Sequence, residues 1–315
     1  MSNTWEYRFA FRVETTHDAP EEFRQAYETL AREHGEPSLC FFSPSISEGR
    51  FFASRQTAPL LWMLFQESLA LLSLERRSNA ISTYQIGRHD LLGFGQADFL
   101  LNCGFFVYPG NQTEDDGPLR VRFPSRASGK YETLVRTLLD WQEHFSVAED
   151  HCVSPQQHVF RQGLPRKYTH YMEVNPEAGR VIEQFFQPRM IVGRARGESF
   201  PNLLLALTSR AVIALCDQSR NGWSEYGIEA RYFPLARVNL TEWIGQRNPD
   251  CGAIRIFLRG ADRHASVSFR VFDGLEPYAL RWISAVESSL KLREEERGRT
   301  GTTGSPGCHV IQCKV

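Results

Sequence analysis

Long apolar runs are what this 315-residue chain most plainly does without. The longest candidates, residues 60–74 and 202–215, are broken by Gln66 and Glu67 in one and by Arg210 in the other. Neither approaches the ~20 continuous apolar residues of a membrane-spanning helix, so no transmembrane segment is expected. An excess of charge of one sign is missing too. Lys and Arg number 36 against 37 Asp and Glu, a formal net charge of -1. That balance supplies no whole-molecule field toward nucleic acid or an anionic membrane, and nucleic acid is not expected as a partner. There is no phosphate-binding Gly-rich loop ending in Lys-Ser or Lys-Thr, no dinucleotide glycine fingerprint, no nucleophile elbow and no His-Glu-x-x-His pair. The N-terminus, MSNTWEYRF, is charged and alternating where a secretory signal needs a continuous apolar run. Its seven cysteines (Cys40, Cys103, Cys152, Cys216, Cys251, Cys308 and Cys313) are odd in number and scattered. A reducing, cytoplasmic setting is therefore expected rather than a disulfide framework.

What the chain does contain is enough apolar material for a core. Hydrophobic residues make up 42% and charged residues 23%, near the average for globular proteins, and the length suggests about two domains. Residues 202–215, NLLLALTSRAVIAL, hold two apolar runs joined by Thr208, Ser209 and Arg210. Each run is too short for an ordinary helix, so a tight antiparallel hairpin is the economical expectation. Residues 60–74, LLWMLFQESLALLSL, repeat the form with Gln66, Glu67 and Ser68 at the turn.

Along the chain, residues 5–13 alternate as a half-buried strand, and residues 21–35 place Phe23, Tyr27 and Leu30 at helical spacing before Gly35. Short strands are expected at 39–42, 50–53, 81–86, 91–94, 99–101, 105–108 and 119–123, with 111–117 a polar loop. A helix over 128–145 closes this first unit. Residues 146–188 carry Pro155, Pro165 and Pro176 and read as a linker with a helix at 176–186, and with a strand at 168–174 as one option. The second unit repeats the plan over 189–292: strands at 190–196, 223–228, 232–238, 253–259 and 265–271, then a helix at 274–292. Residues 293–315, charged and then rich in Gly, Ser and Thr, are expected to be disordered. Val212 minus Leu69 gives 143, Leu235 minus Leu92 gives 143 and Tyr226 minus Tyr84 gives 142. That near-constant offset points to an internal duplication.

A hairpin with a Thr-Ser-Arg turn at 203–215, the following WSEYGIEARYFPLARV at 223–238, more strands and one C-terminal amphipathic helix resemble the pleckstrin-homology-like superfamily, including its GRAM and bacterial PH-like branches. The likeness covers about 189–292 well and 37–145 less well. It implies a mainly β, α+β chain: two PH-like sandwich or barrel units, each closed by a C-terminal helix. The N-terminal strand and helix, which the likeness does not cover, are expected to pack on the first unit. It further implies binding of lipid headgroups, peptides or other proteins. The turn of the first copy has no arginine, which separates the two copies in any shared ligand role.

Candidate chemistry is sparse. Arg194, Arg196 and Arg210, with Arg189 nearby, could form a fork for phosphate or carboxylate, against the simpler alternative of a solvated strand face. Cys152 with His151 and His158, or Cys216 beside Asp217, could serve a thiol enzyme, but Cys40, Cys103 and Cys216 lie in apolar runs where cysteine packs as a small core residue. His144, His151, His158 and His170 match no usual zinc spacing, and Cys308-His309-x3-Cys313 lacks a fourth ligand, so neither metal nor cofactor is expected. Four Phe-Phe pairs, at 41–42, 51–52, 105–106 and 185–186, each send one ring to either side of a strand. Their outward rings need cover, either from docking of the two units or from a protein partner or self-association. The sequence thus favours a cytoplasmic binding or scaffold protein, with anionic-lipid recognition through Arg194, Arg196 and Arg210 as the alternative. A hydrolase or transferase on a β scaffold ranks third.

Overall fold

The computed structural model describes residues 11–45, 47–48, 55–56, 58–75, 78, 80–99, 102–110, 119–124, 128–142, 164–174, 179–192, 198–217, 227–245, 251–260 and 264–300. In chain order the elements are β1 (Phe11–Arg12), α1 (Glu21–His34), β2 (Leu39–Ser43), β3 (Ser47–Glu48), β4 (Arg55–Gln56), β5 (Leu60–Leu64), β6 (Ser68–Glu75), β7 (Ala80–Gly87), β8 (Leu91–Phe99), β9 (Asn102–Pro109), β10 (Leu119–Pro124) and α2 (Ser128–Gln142). Then follow α3 (Arg166–Val174), β11 (Val181–Gln187), β12 (Met190–Val192), β13 (Glu198–Phe200), β14 (Leu203–Thr208), β15 (Ala211–Asp217), β16 (Ile228–Pro234), β17 (Val238–Gly245), β18 (Cys251–Arg259), β19 (His264–Phe272) and α4 (Glu276–Thr300). The class is mainly β with helices, α+β, and its sheets are antiparallel. Among the described residues none closes into a barrel. Among the described residues no helix is long and apolar enough to cross a membrane.

Three sheets are stacked. The first runs β1-β2-β5-β6-β7, the central one β10-β9-β8-β16-β15-β14-β11, and the third β17-β18-β19. The central sheet takes β8, β9 and β10 from residues 1–145, β11 from the expected linker, and β14, β15 and β16 from residues 189–292. Its two halves are stitched by β8 and β16, from Ile228 opposite Asp98 to Tyr232 opposite Phe94.

This stacking explains why the two hairpins are apolar throughout. On β14, Leu204 and Ala206 enter the core shared with the first sheet and α2, whereas Leu203, Leu205 and Leu207 enter the core under the third sheet and α4. Alternate residues face opposite sides of a strand, so a sheet covered on both faces needs an unbroken apolar run. β5 obeys the same rule: Trp62 and Leu64 point to the shared core, while Leu61 and Met63 meet Phe23, Tyr27 and Leu30 of α1. The described phenylalanine pairs are covered from within. Phe41 lies in the shared core and Phe42 beneath α1, Phe105 and Phe106 are both buried, and Phe185 is buried with Phe186 half-buried 6.3 Å from the Tyr168 ring. Phe51 and Phe52 lie outside the described residues.

The order of elements occurs twice: helix, strand, short hairpin, long hairpin, a fourth strand, a three-stranded meander and a closing helix. The long hairpins share one register, Leu64 opposite Leu69 and Leu207 opposite Val212, which preserves the offset of 143. Further on the offset grows. Gly87 pairs with Ser68 and Pro234 with Ala211, so Pro234 minus Gly87 gives 147. β8 carries a bulge between Leu91 and Gly93 and β17 one between Val238 and Leu240, again 147 apart. Leu235 therefore does not match Leu92, since it sits in the turn before β17, and Tyr226 lies outside the described residues.

Other expectations are corrected. Residues 168–174 form helix, not strand, because Leu164, Tyr168, Tyr171 and Met172 reach the shared core at helical spacing. Residues 181–187 form strand, not helix, because pairing with β14 satisfies their backbone and both faces are covered. The expected linker 146–188 thus supplies a helix and an edge strand. Residues 91–94 and Phe99 belong to one strand, in which Gly95 permits close packing rather than a turn, and residues 100–101 lie outside the described residues. Residues 232–238 are divided by a turn at 235–237; of 190–196, Met190–Val192 is strand and 193–196 lie outside the described residues. The charged start of the expected tail continues α4 to Thr300. Residues 1–10, 49–54, 111–118, 143–163, 218–226 and 301–315 hold the remaining strand, loop, His, Cys and tail expectations and lie outside the described residues.

Candidate functional site

Thr208 builds the turn that presents Arg210. Its buried hydroxyl donates to the carbonyl of Ala211 at 2.8 Å and accepts from the amides of Arg210 and Ala211 at 3.2 and 2.9 Å. A Ser/Thr side chain that satisfies its own turn in this way is a common local device. Arg210 then reaches across to α2, where its Nη2 lies 2.7 Å from Asp140 Oδ1. The arginine expected to hold a ligand is therefore engaged with an acid of the other half. Arg194 and Arg196 lie outside the described residues, and Arg189 donates its amide to Asn202 Oδ1 at 2.7 Å, on the loop between β11 and β12.

Around the last turn of α2 the structure assembles a basic cluster that the sequence alone does not bring together. Arg237, from the turn between β16 and β17, donates Nε to Gln142 Oε1 at 3.0 Å and Nη2 to the Arg88 carbonyl at 2.8 Å. Gln142 donates to the same carbonyl at 2.9 Å, and Trp141 donates Nε1 to the Gln66 carbonyl at 2.7 Å. The buried Arg88 guanidinium lies 5.9 Å from the Trp141 ring centroid and 3.9 Å from Glu67. Cations from three loops thus gather where the helix presents its carbonyl ends, the terminus that favours positive charge. In chemical terms this is a clamp, with each described arginine given an acid, amide or carbonyl partner.

A second polar group sits at the end of β15. Asp217 is buried, and its carboxylate receives Lys167 Nζ at 2.5 Å, the Tyr168 hydroxyl at 2.7 Å and Asn202 Nδ2 at 2.6 Å. A buried carboxylate is tolerated only when paired and hydrogen-bonded in this way. Burial, reinforced by the bond to Asp217, pushes the Tyr168 hydroxyl far above the usual phenol range, so it remains a donor. Lys167, Tyr168 and Asn202 were not singled out in the sequence. The signal available was Asp217 itself, an acid closing the otherwise apolar AVIALC.

Among the described thiols, Cys40 and Cys216 are not set up as nucleophiles. Cys40, Cys103 and Cys251 are buried and Cys216 is half-buried. Burial pushes Cys40 up to about 12 and Cys216 up to about 12, the second despite the neighbouring Arg231. Both are fully protonated at neutral pH, whereas a reactive cysteine needs thiolate. Arg231 is held instead by Glu229 at 2.7 Å and stands 5.6 Å from the Phe269 ring centroid. Among the described residues no group of three His, Cys, Asp or Glu is placed to hold a metal ion, and His170 is exposed on α3.

No protein-family model matches the chain, and no curated protein matches it.

Proposed function

We propose that the protein is a non-catalytic binding or scaffold module, formed of two PH-like units that arose by duplication and that act by holding a protein partner or a second copy of the chain. The observation that carries this reading is the repeated element order, with one hairpin register and one bulge position occurring in both halves. A doubled antiparallel scaffold presents strand edges, and an exposed edge recognises protein through main-chain hydrogen bonds. The protonated thiols and the acid-paired Arg210 agree with a surface that binds rather than reacts.

The reading is tested with the purified full chain, by sedimentation with and without a partner recovered by affinity capture and then purified, and by flotation with anionic vesicles. Association that persists at about 0.5 M salt, where exposed charges are screened, is the expected result. Vesicle binding that weakens with salt and disappears on Arg196→Glu, with no protein association under any condition, would replace it with lipid recognition.

A further inference from the structure

In the second half, the strand that ends the four-stranded portion, β16, is covered by β8. Its counterpart in the first half is β7, which ends the five-stranded order with no further strand beside it among the described residues. An edge strand presents a row of backbone donors and acceptors, and proteins commonly blunt such edges with lysine, proline, inward charges or bulges. β7, AISTYQIG, has none of these. It is eight residues long, carries no charged side chain and keeps unbroken register with β6. Ala80, Ser82, Thr83 and Gln85 are exposed along it.

The internal junction suggests one occupant, the counterpart of β8 on another copy, which is β17. Two glycines argue against it. A Cβ at Gly95 would stand 2.3 Å from the Ala230 carbonyl oxygen and 2.4 Å from the Phe106 ring, and one at Gly93 would stand 2.8 Å from the Phe233 ring and 2.9 Å from the Tyr232 carbonyl oxygen. The close approach of β8 to β16 therefore depends on missing side chains. At the offset of 147 that aligns the two bulges, β17 carries Leu240 and Glu242 in their place. Head-to-tail pairing of β17 with β7 would therefore not reproduce the close approach of that junction.

We propose that β7 is a self-pairing edge, through which two copies of this chain join antiparallel about a two-fold axis and merge their five-stranded sheets into one. An isologous contact of this kind closes on itself, and antiparallel pairing is the orientation a perpendicular two-fold imposes on a strand meeting its own copy. With no charge on β7, the pairing sets no like charges opposite each other. Eight residues of edge bury less than the ~1,200 Å² of a standard interface, so the dimer dissociates on dilution. The inference rests on the binding reading above, but it commits to the partner and the strand.

The test is sedimentation velocity of the full chain across a dilution series, with hydrogen exchange of the β7 amides at high and low concentration. Wild type shifts from monomer to dimer with increasing concentration, and β7 exchange slows in step. Thr83→Lys with Gln85→Lys abolishes the shift with an unchanged thermal melt, and Leu240→Lys on β17 leaves it intact. A wild type that stays monomeric at every concentration overturns the proposal, as does a dimer indifferent to the β7 lysines or one lost on Leu240→Lys. A monomer that still forms a salt-tolerant complex with a different purified protein would sink the self-pairing alone and leave the broader binding reading standing.

Discussion

Asp217 shows how one side chain can organise its surroundings when it is taken out of water. Removing the Tyr168 hydroxyl takes away a donor to Asp217 and to the Asn202 carbonyl. Tyr168→Phe is expected to cost about 1–2 kcal/mol in urea denaturation. Asp217→Ala strands the Lys167 ammonium and two further donors and is expected to cost more, about 3 kcal/mol. The thiols define an alkaline limb. Cys40 and Cys216 rise from an ordinary 9.0 to about 12 in the fold. Between those values the unfolded chain has released protons that the folded chain still holds, so stability is intact below pH 9 and falls as pH climbs toward 12. Guanidinium melts across pH 8–11 should show that decline, and Cys40→Ala with Cys216→Ala should reduce it, with the raised Tyr27 and Tyr168 hydroxyls keeping a remainder above pH 10. The sequence already marked these cysteines as core residues by their apolar neighbours. It could not mark Lys167, because a lysine beside a tyrosine has no meaning until a helix brings both to the end of β15.

At the scale of elements, local pattern served best where one strand or helix met one covering layer. The hairpin turns, α1, β18 and β19 follow from spacing and turn chemistry, and Thr208 satisfies the turn its sequence suggested. Pattern failed at β11 and α3, two short segments whose apolar residues fit either period and whose state is set by β14 pairing and by packing onto the shared core. It failed also at β8, where the stretch from Gly95 to Asp98 was expected to separate two strands and instead continues one. Gly95→Ala would drive a methyl into the Ala230 carbonyl. It is expected to destabilise by about 2 kcal/mol or more, and to raise hydrogen exchange at β8 and β16 before β18. Gln142→Ala, which deprives Arg237 of its Nε acceptor and the Arg88 carbonyl of one donor, is expected to cost about 1–2 kcal/mol. Asp140→Ala, whose carboxylate is largely exposed, should cost under ~1 kcal/mol.

At the scale of the molecule, the central sheet joins the two halves through backbone bonds and a common core. Phe94 and Tyr232 stack at 5.7 Å across the β8–β16 junction. One cooperative unfolding transition is therefore expected, with intrinsic fluorescence and far-ultraviolet dichroism coincident, and two separated transitions would contradict the shared core. Residues 189–292 expressed alone should bind a hydrophobic dye and associate, because Leu204, Ala206, Ile213 and Tyr232 would lose their covering layer.

By itself the sequence determined the β-rich class, the two hairpins with their common spacing, and the absence of long apolar spans, because these depend on composition and on periods a few residues long. Only the tertiary structure decided that the halves share a sheet, that Arg210 is spent on Asp140 and that Asp217 has company. Those are pairings between residues tens of positions apart, and they exist only once strand edges and loop ends have been brought to the same place.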